Sequence, residues 1–80
     1  MNEVINARFF NKNGTKYFDY DLKAIPRIGD HVALNSGSGN SIQSTMEGKV
    51  IQVVWNITDL HEETAVFIII EEGKIPDEYV

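Results

Sequence analysis

The sequence AVFIII, residues 65–70, consists only of apolar residues, most of them β-branched. Because successive side chains of a strand point to opposite faces, a strand built from it is apolar on both faces. A strand built from KVIQVVWNI, residues 49–57, is also apolar on both faces, because the neighbouring residues Val53 and Val54 point to opposite sides. Strands of this kind must be covered on both sides, which a small chain achieves by closing its sheet into a barrel or by pairing with a second copy. Strands are therefore predicted at residues 49–57 and 64–71.

Three further strands are predicted upstream. Residues 3–11 and 15–22 flank Lys12-Asn13-Gly14, and Asn-Gly favours a hairpin turn. A short strand follows Gly29-Asp30, with Val32 and Leu34 facing inward and alternating with polar or small residues.

The predicted fold is therefore all-β: a small, five-stranded antiparallel barrel that forms a single domain over residues 1–80. We expect one long, flexible Gly/Ser loop at residues 35–46 and a polar C-terminal tail at residues 73–80.

Composition limits the functions open to the chain. Eighty residues form one domain, and the absence of cysteine favours a reducing compartment, so we expect the cytoplasm. No apolar run approaches the ~20 residues that span a bilayer. The net charge of −5 disfavours a nucleic acid as the main partner. Residues 1–58 carry six Lys or Arg and five Asp or Glu, whereas residues 59–80 carry one and seven, so the last quarter is acidic.

The strings GDHVAL (residues 29–34) and EGKVIQV (residues 47–53), with Gly37 between them, resemble the KOW-type pattern of small barrels in ribosomal and transcription-elongation proteins. PRIGDHV followed by VVW resembles small bacterial and phage proteins with a Src-homology-3-like barrel. The resemblance covers about residues 26–55 and implies such a barrel. Nucleic-acid-binding members use basic loops, but no Lys or Arg lies between Ile28 and Gly48.

Within this pattern, three residues have a physical role in the fold. Gly29 permits a sharp turn, Asp30 can accept hydrogen bonds from backbone N–H groups at that turn, and Gly48 allows the barrel to bend.

Residue patterns for catalysis are weak. Asp59, His61 and Glu63 alternate as ligands of a divalent metal would on a strand, but they lie where a turn is expected, so a solvated acidic loop is the favoured interpretation. Gly37-Ser38-Gly39 lacks the Lys-Ser/Thr of a phosphate-binding loop. Without cysteine or any nucleophile with a companion base, we expect no enzyme activity, no cofactor and no metal.

The interpretation left is a non-catalytic binding module, a bacterial or phage accessory protein whose partner is a protein, basic by charge complementarity. A KOW-like nucleic-acid-associated module, a structural subunit of a larger assembly and a homodimer are the alternatives. Core packing is the favoured role for Phe10 and Trp55. The predicted contact residues lie on a polar strand face, in the Gly/Ser loop and in the acidic C-terminal region: Tyr17, Asp19, Asp21, Ser36, Ser38, Asn40, Glu71, Glu72, Asp77, Glu78 and Tyr79.

Overall fold

The computed structural model describes residues 3–38, 41–59 and 63–73, which contain five strands and no helix. The strands are β1 (Ile5–Asn11), β2 (Tyr17–Leu22), β3 (His31–Ser38), β4 (Ser41–Trp55) and β5 (Val66–Glu72). They form one nearly closed, barrel-shaped sheet in the order β2-β1-β5-β4-β3. The predicted all-β, five-stranded barrel is therefore confirmed.

The central strand of the sheet is β5. It pairs antiparallel with β4 and parallel with β1, so the prediction of a purely antiparallel sheet is wrong. Strands in parallel pairing are often covered on both faces and have continuous apolar sequences, as the sequence of β5 does. Strand β5 lies between β1 and β4 and runs parallel to β1.

The core lies on the inner face of the sheet. On β5, Val66, Ile68 and Ile70 are completely buried, and the side chains between them point outward. Strand β1 alternates in the same way, with Phe9 buried and Phe10 half-buried. The buried apolar residues are Ala7, Phe9, Leu34, Met46, Val50, Val66, Ile68 and Ile70.

The β1–β2 turn is organised by Asn11, the buried polar residue of the described chain. Its side-chain oxygen accepts hydrogen bonds from the backbone N–H groups of Thr15 and Lys16, at 2.8 and 3.2 Å. Its amide nitrogen donates to the Thr15 hydroxyl. Gly14 has a φ of 70°, whereas Asn13 does not adopt a positive φ, so glycine alone provides the left-handed residue of the predicted turn.

The second hairpin is longer than the sequence predicts. Residues 35–46 were expected to form a loop, but β3 and β4 continue through most of this segment, with Asn35 opposite Thr45 and Ser38 opposite Ser41. A bulge lies between Ser36 and Gly37. Small polar residues pair readily once the apolar part of a hairpin has fixed the register, and pairing satisfies their backbone groups.

The turn before β3 has the two features expected of it. Gly29 has a φ of 98°, and the Asp30 carboxylate accepts a hydrogen bond of 2.8 Å from the backbone N–H of Arg27. The turn is fastened to β4 by two bonds, since the Gly29 N–H donates to the Val50 carbonyl and the Val50 N–H donates to the Asp30 carbonyl. The start of β3 is thereby fixed against the middle of β4.

The two edges of the sheet, β2 and β3, are joined by a side chain. The Tyr20 hydroxyl on β2 donates a hydrogen bond of 2.9 Å to the Asn35 carbonyl on β3. The Tyr20 ring meets Phe9 edge to face, at a centroid distance of 5.9 Å. The barrel is thus bridged at one point, and a seam remains between β2 and β3.

We expect the hydrogen bond between Tyr20 and Asn35 to make the protein less stable at alkaline pH. Burial raises the pKa of Tyr20, and only the protonated hydroxyl can donate to Asn35. The pKa of a tyrosine in the unfolded chain is about 10. Because the pKa of Tyr20 is higher in the folded state, its contribution to stability is fully present below about pH 10 and is lost as pH rises through the folded-state pKa. Tyr20→Phe should lower the free energy of unfolding by about 1 kcal/mol at neutral pH and show a smaller alkaline loss.

Urea unfolding from pH 7 to 11 tests this expectation, with the exposed Tyr17→Phe as the control that should stay within about 0.5 kcal/mol of the wild type. An alkaline loss of the same size in Tyr20→Phe and the wild type would contradict it.

Gly48 lies where two strands approach closely. A Cβ atom at this position would overlap the Glu71 carbonyl oxygen and lie 2.8 Å from the Glu71 carbonyl carbon. These are backbone atoms of β5, so they cannot rotate away. The Cβ of an alanine at Gly73 would meet nothing within 4 Å.

Gly48→Ala should therefore lower the free energy of unfolding by about 1–3 kcal/mol or more, because the β4–β5 pair must separate to admit the methyl group. Gly73→Ala should change it by less than about 0.5 kcal/mol. Denaturant midpoints measure both, and equal midpoints for the two variants would show that Gly48 is not required for the close approach.

Candidate functional site

The candidate site is an apolar groove at one end of the barrel, here called the Trp55 groove. Trp55 is 51% exposed and Ile28 is 67% exposed, although both are large apolar residues. Side chains from the β2–β3 connection and from the end of β4 line the groove: Ile25, Pro26, Arg27, Ile28, Val53 and Trp55.

Strand pairing and turn bonds position the two walls of the groove. Val53 pairs with Ile68 and Trp55 with Val66, so both side chains are on the inner face of the sheet. Val53 packs against the core, while Trp55 lies at the end of the strand, where it is half exposed. The opposite wall is held by the bonds from Gly29 and Asp30 to Val50.

A second apolar depression adjoins the groove and follows the seam between β2 and β3. It shares Ile25 and Pro26 with the Trp55 groove. Ala33 and Leu34 of β3 line one side, and Leu22 of β2 lines the other. The groove and the seam together form one apolar surface that runs from Trp55 along the start of β3.

A cation, Arg27, lines the groove, and the carboxylate of Asp30 accepts a hydrogen bond from the Arg27 backbone. The described ion pairs use Arg8, Lys12 and Lys16. Arg27 lines the Trp55 groove and, like Lys23, belongs to no ion pair among the described residues. The groove thus combines an exposed indole with a cation, in a chain whose net charge is −5.

The predicted polar face lies on the outside of β2. Tyr17 is 54% exposed, as expected of a surface contact. Asp19 accepts two hydrogen bonds from Arg8, at 2.7 and 3.1 Å, which raise the pKa of the guanidinium. The same guanidinium lies 4.5 Å from the centre of the Tyr17 ring. The Asp21 carboxylate accepts a hydrogen bond from the side-chain amide of Asn6. These residues share one surface, and Asp19 is already paired.

The predicted acidic region is described in part. Glu71 pairs with Lys12 at 3.5 Å and Glu72 with Lys16 at 3.4 Å, so both carboxylates have a cation beside them. Asp77, Glu78 and Tyr79, and also Asn40 of the predicted loop, lie outside the described residues.

The two serines of the predicted loop, Ser36 and Ser38, belong to β3. The structure brings none of the described predicted residues into the Trp55 groove.

Two predictions for aromatic residues need correction. Trp55 was expected in the core but is half exposed, because β4 ends beyond the packed part of the sheet. Phe10 is only half-buried and packs on the outer face between Tyr17 and Phe67, with ring centres 6.0 Å apart in each pair. Sequence analysis also missed Ile25 and Ile28, which flank Pro26-Arg27. Their signal was two large apolar residues in a segment expected to connect strands.

Neither metal ligands nor a membrane span is found in the described part of the chain. Residues 3–38, 41–59 and 63–73 contain no group of three or more His, Asp or Glu placed to hold a metal ion. His61, the central residue of the Asp59-His61-Glu63 pattern, lies outside these ranges. None of the described residues forms a helix able to cross a membrane.

Exposure of Trp55 predicts that its side chain contributes little to stability. Trp55→Ala should lower the free energy of unfolding by less than about 1 kcal/mol. Phe9→Ala removes a ring that is 1% exposed and should cost about 3–5 kcal/mol. Because Trp55 is the only tryptophan, unfolding should be followed by circular dichroism. Similar losses in the two variants would show that Trp55 is a core residue.

Comparisons with protein-family models, with curated proteins and with solved structures gave no match for this chain. No family identity therefore carries over to it, and its function is inferred from the groove and its surroundings.

Proposed function

We propose that the protein is a non-catalytic binding module that captures another protein through the Trp55 groove. The observation that carries the proposal is the exposure of Trp55 and Ile28, at 51% and 67%, within one groove. An 80-residue chain has few large apolar side chains with which to build its core. Two of them left half exposed or more within one groove are typical of a binding surface.

The composition of the groove favours a polypeptide partner. Tryptophan and arginine are the residue types enriched where binding energy concentrates in protein interfaces, and Trp55 and Arg27 are the walls of this groove. The backbone beneath them is fastened by hydrogen bonds, which lowers the entropy lost on binding. The absence of cysteine supports a cytoplasmic location.

The acidic C-terminal region and the Gly/Ser segment remain part of the proposal as a second surface, which would steer a basic region of the same partner. Glu71 and Glu72 are half-exposed in their ion pairs, with side chains 57% and 41% exposed. Exposed pairs of this kind exchange easily, because each contributes only about 0–1 kcal/mol. A partner with closely spaced cations can therefore compete for these carboxylates.

A nucleic-acid-associated role is the second candidate, because an exposed Trp beside an Arg also suits a stacked base. The net charge of −5 opposes it. Binding to a single-stranded oligonucleotide that weakens steeply between about 50 and 200 mM salt would favour this candidate over a protein partner.

Capture from a nuclease-treated bacterial lysate tests the proposed function. Trp55→Ala should lose at least about tenfold of the captured partner, since truncating an aromatic residue at the centre of an interface costs about 2 kcal/mol or more. The matched control is Tyr17→Ala, which removes an aromatic ring of similar exposure, 54%, from the outer face.

Loss of the partner in Tyr17→Ala and its retention in Trp55→Ala would assign binding to the outer face of β2 instead. A partner that both variants retain, but that is lost when Glu71 and Glu72 are changed to Gln, would assign it to the acidic region.

A further inference from the structure

We propose that the partner binds as an extended segment that pairs with β3 at Ala33, with its side chains entering the seam and the Trp55 groove. This inference rests on the proposed function and adds the conformation and residue pattern of the bound segment. The edge lies directly beside the apolar surface already described, since Ala33 and Leu34 of β3 line the seam.

Two hydrogen bonds show which backbone groups of β3 face the seam. In an antiparallel pair, the N–H and C=O of one residue point to the same side, and the next residue points its own to the other side. The Asp30 carbonyl accepts from Val50 and so faces β4. The Asn35 carbonyl accepts from Tyr20 and so faces β2. Before the bulge, Val32 and Leu34 therefore point their backbone groups to β4, and Ala33 points both of its backbone groups to the seam.

Before the bulge at Ser36/Gly37, β3 lacks the charged residues and proline with which proteins often block an exposed strand. Its sequence, HVALNSGS over residues 31–38, contains no Lys, Asp, Glu or Pro. The other edge, β2, carries two aspartates, Asp19 and Asp21. Of the two edges described, β2 therefore carries carboxylates, whereas the β3 residues from Val32 to Asn35 are uncharged.

The Tyr20 bridge sets the limits of the bound segment. The ring crosses the seam at Asn35, so an added strand would have to lie between that point and the start of β3. That direction leads to the turn at Gly29 and to Ile28, which lines the Trp55 groove. The segment would therefore pair with Ala33 and then lay its next side chains against Ile28 and Trp55.

The pattern of the bound segment follows from this surface. Alternate side chains face the seam, whose lining is apolar, so apolar residues should recur at every second position. Arg27 stands beside the groove without an ion pair among the described residues, so an Asp or Glu should follow the apolar positions. The expected partner segment is extended, apolar at alternate positions and acidic at one end.

The test uses a phage-displayed library of random twelve-residue peptides, selected on the full chain, and synthetic copies of the enriched peptides. Enriched sequences should alternate apolar residues and carry an acidic residue. Ala33→Pro removes the N–H that faces the seam at an edge position where proline is tolerated, and it should weaken peptide binding at least about tenfold. Ala33→Val adds similar bulk but keeps the N–H, and it should bind within about threefold of the wild type.

Circular dichroism would confirm that the Ala33→Pro variant is folded, and hydrogen exchange gives a second readout in the wild type. The bound peptide should slow exchange of the Ala33 amide. Peptides that bind Ala33→Pro as tightly as the wild type, or no enrichment of alternating sequences, would overturn strand addition.

The two proposals fail differently. Peptide binding that is lost in Trp55→Ala but intact in Ala33→Pro would leave the groove as the binding site without an added strand. A partner captured from lysate through Trp55 without any enriched peptide would have the same meaning. Peptide binding that depends on neither residue would overturn both proposals.

Discussion

The rest of the structure depends on β5, whose inner face is buried and whose two edges are both hydrogen-bonded to neighbouring strands. Val66, Ile68 and Ile70 are fully buried, and β5 bonds to β1 on one side and β4 on the other. Each neighbour belongs to a separate hairpin, so β5 is what joins the two hairpins into one sheet. With β5 at the centre, the outer strands of the hairpins become the two edges and curl toward each other. The seam is the place where this curling stops short of closure.

Much of the fold follows from local patterns in the sequence. Alternation predicted the inward residues of β3, and Gly14 and Gly29 occupy the left-handed positions of their turns. The direction of β5 relative to β1 was missed, because pairing between strands so distant in sequence leaves no local pattern. The extent of the second hairpin was missed because Gly and Ser are typical of loops, whereas strand pairing depends on what precedes them.

The candidate groove was harder to predict from the sequence than the fold was. Burial of a tryptophan depends on where the sheet ends, and the sequence alone does not show that Trp55 lies past the last packed layer. The residues opposite it, Ile25 and Ile28, come from a connection whose path is set by two hydrogen bonds between Gly29-Asp30 and Val50 of β4. The polar face of β2 was predictable because alternation fixes it, but its pairing with Arg8 required the register of β1.

The position of β5 after both hairpins in the sequence also determines the order in which parts of the fold can form during synthesis. Both hairpins contain their own turns, so they can begin to form during synthesis, within microseconds of leaving the ribosome. The core cannot, since β5 contributes three of the eight buried apolar side chains among the described residues. Until residues 66–72 emerge, the nascent chain exposes the inner faces of two unjoined hairpins, with four free strand edges. Burial of these inner faces therefore waits for β5, and until then the exposed apolar surface and the unpaired strand edges favour aggregation.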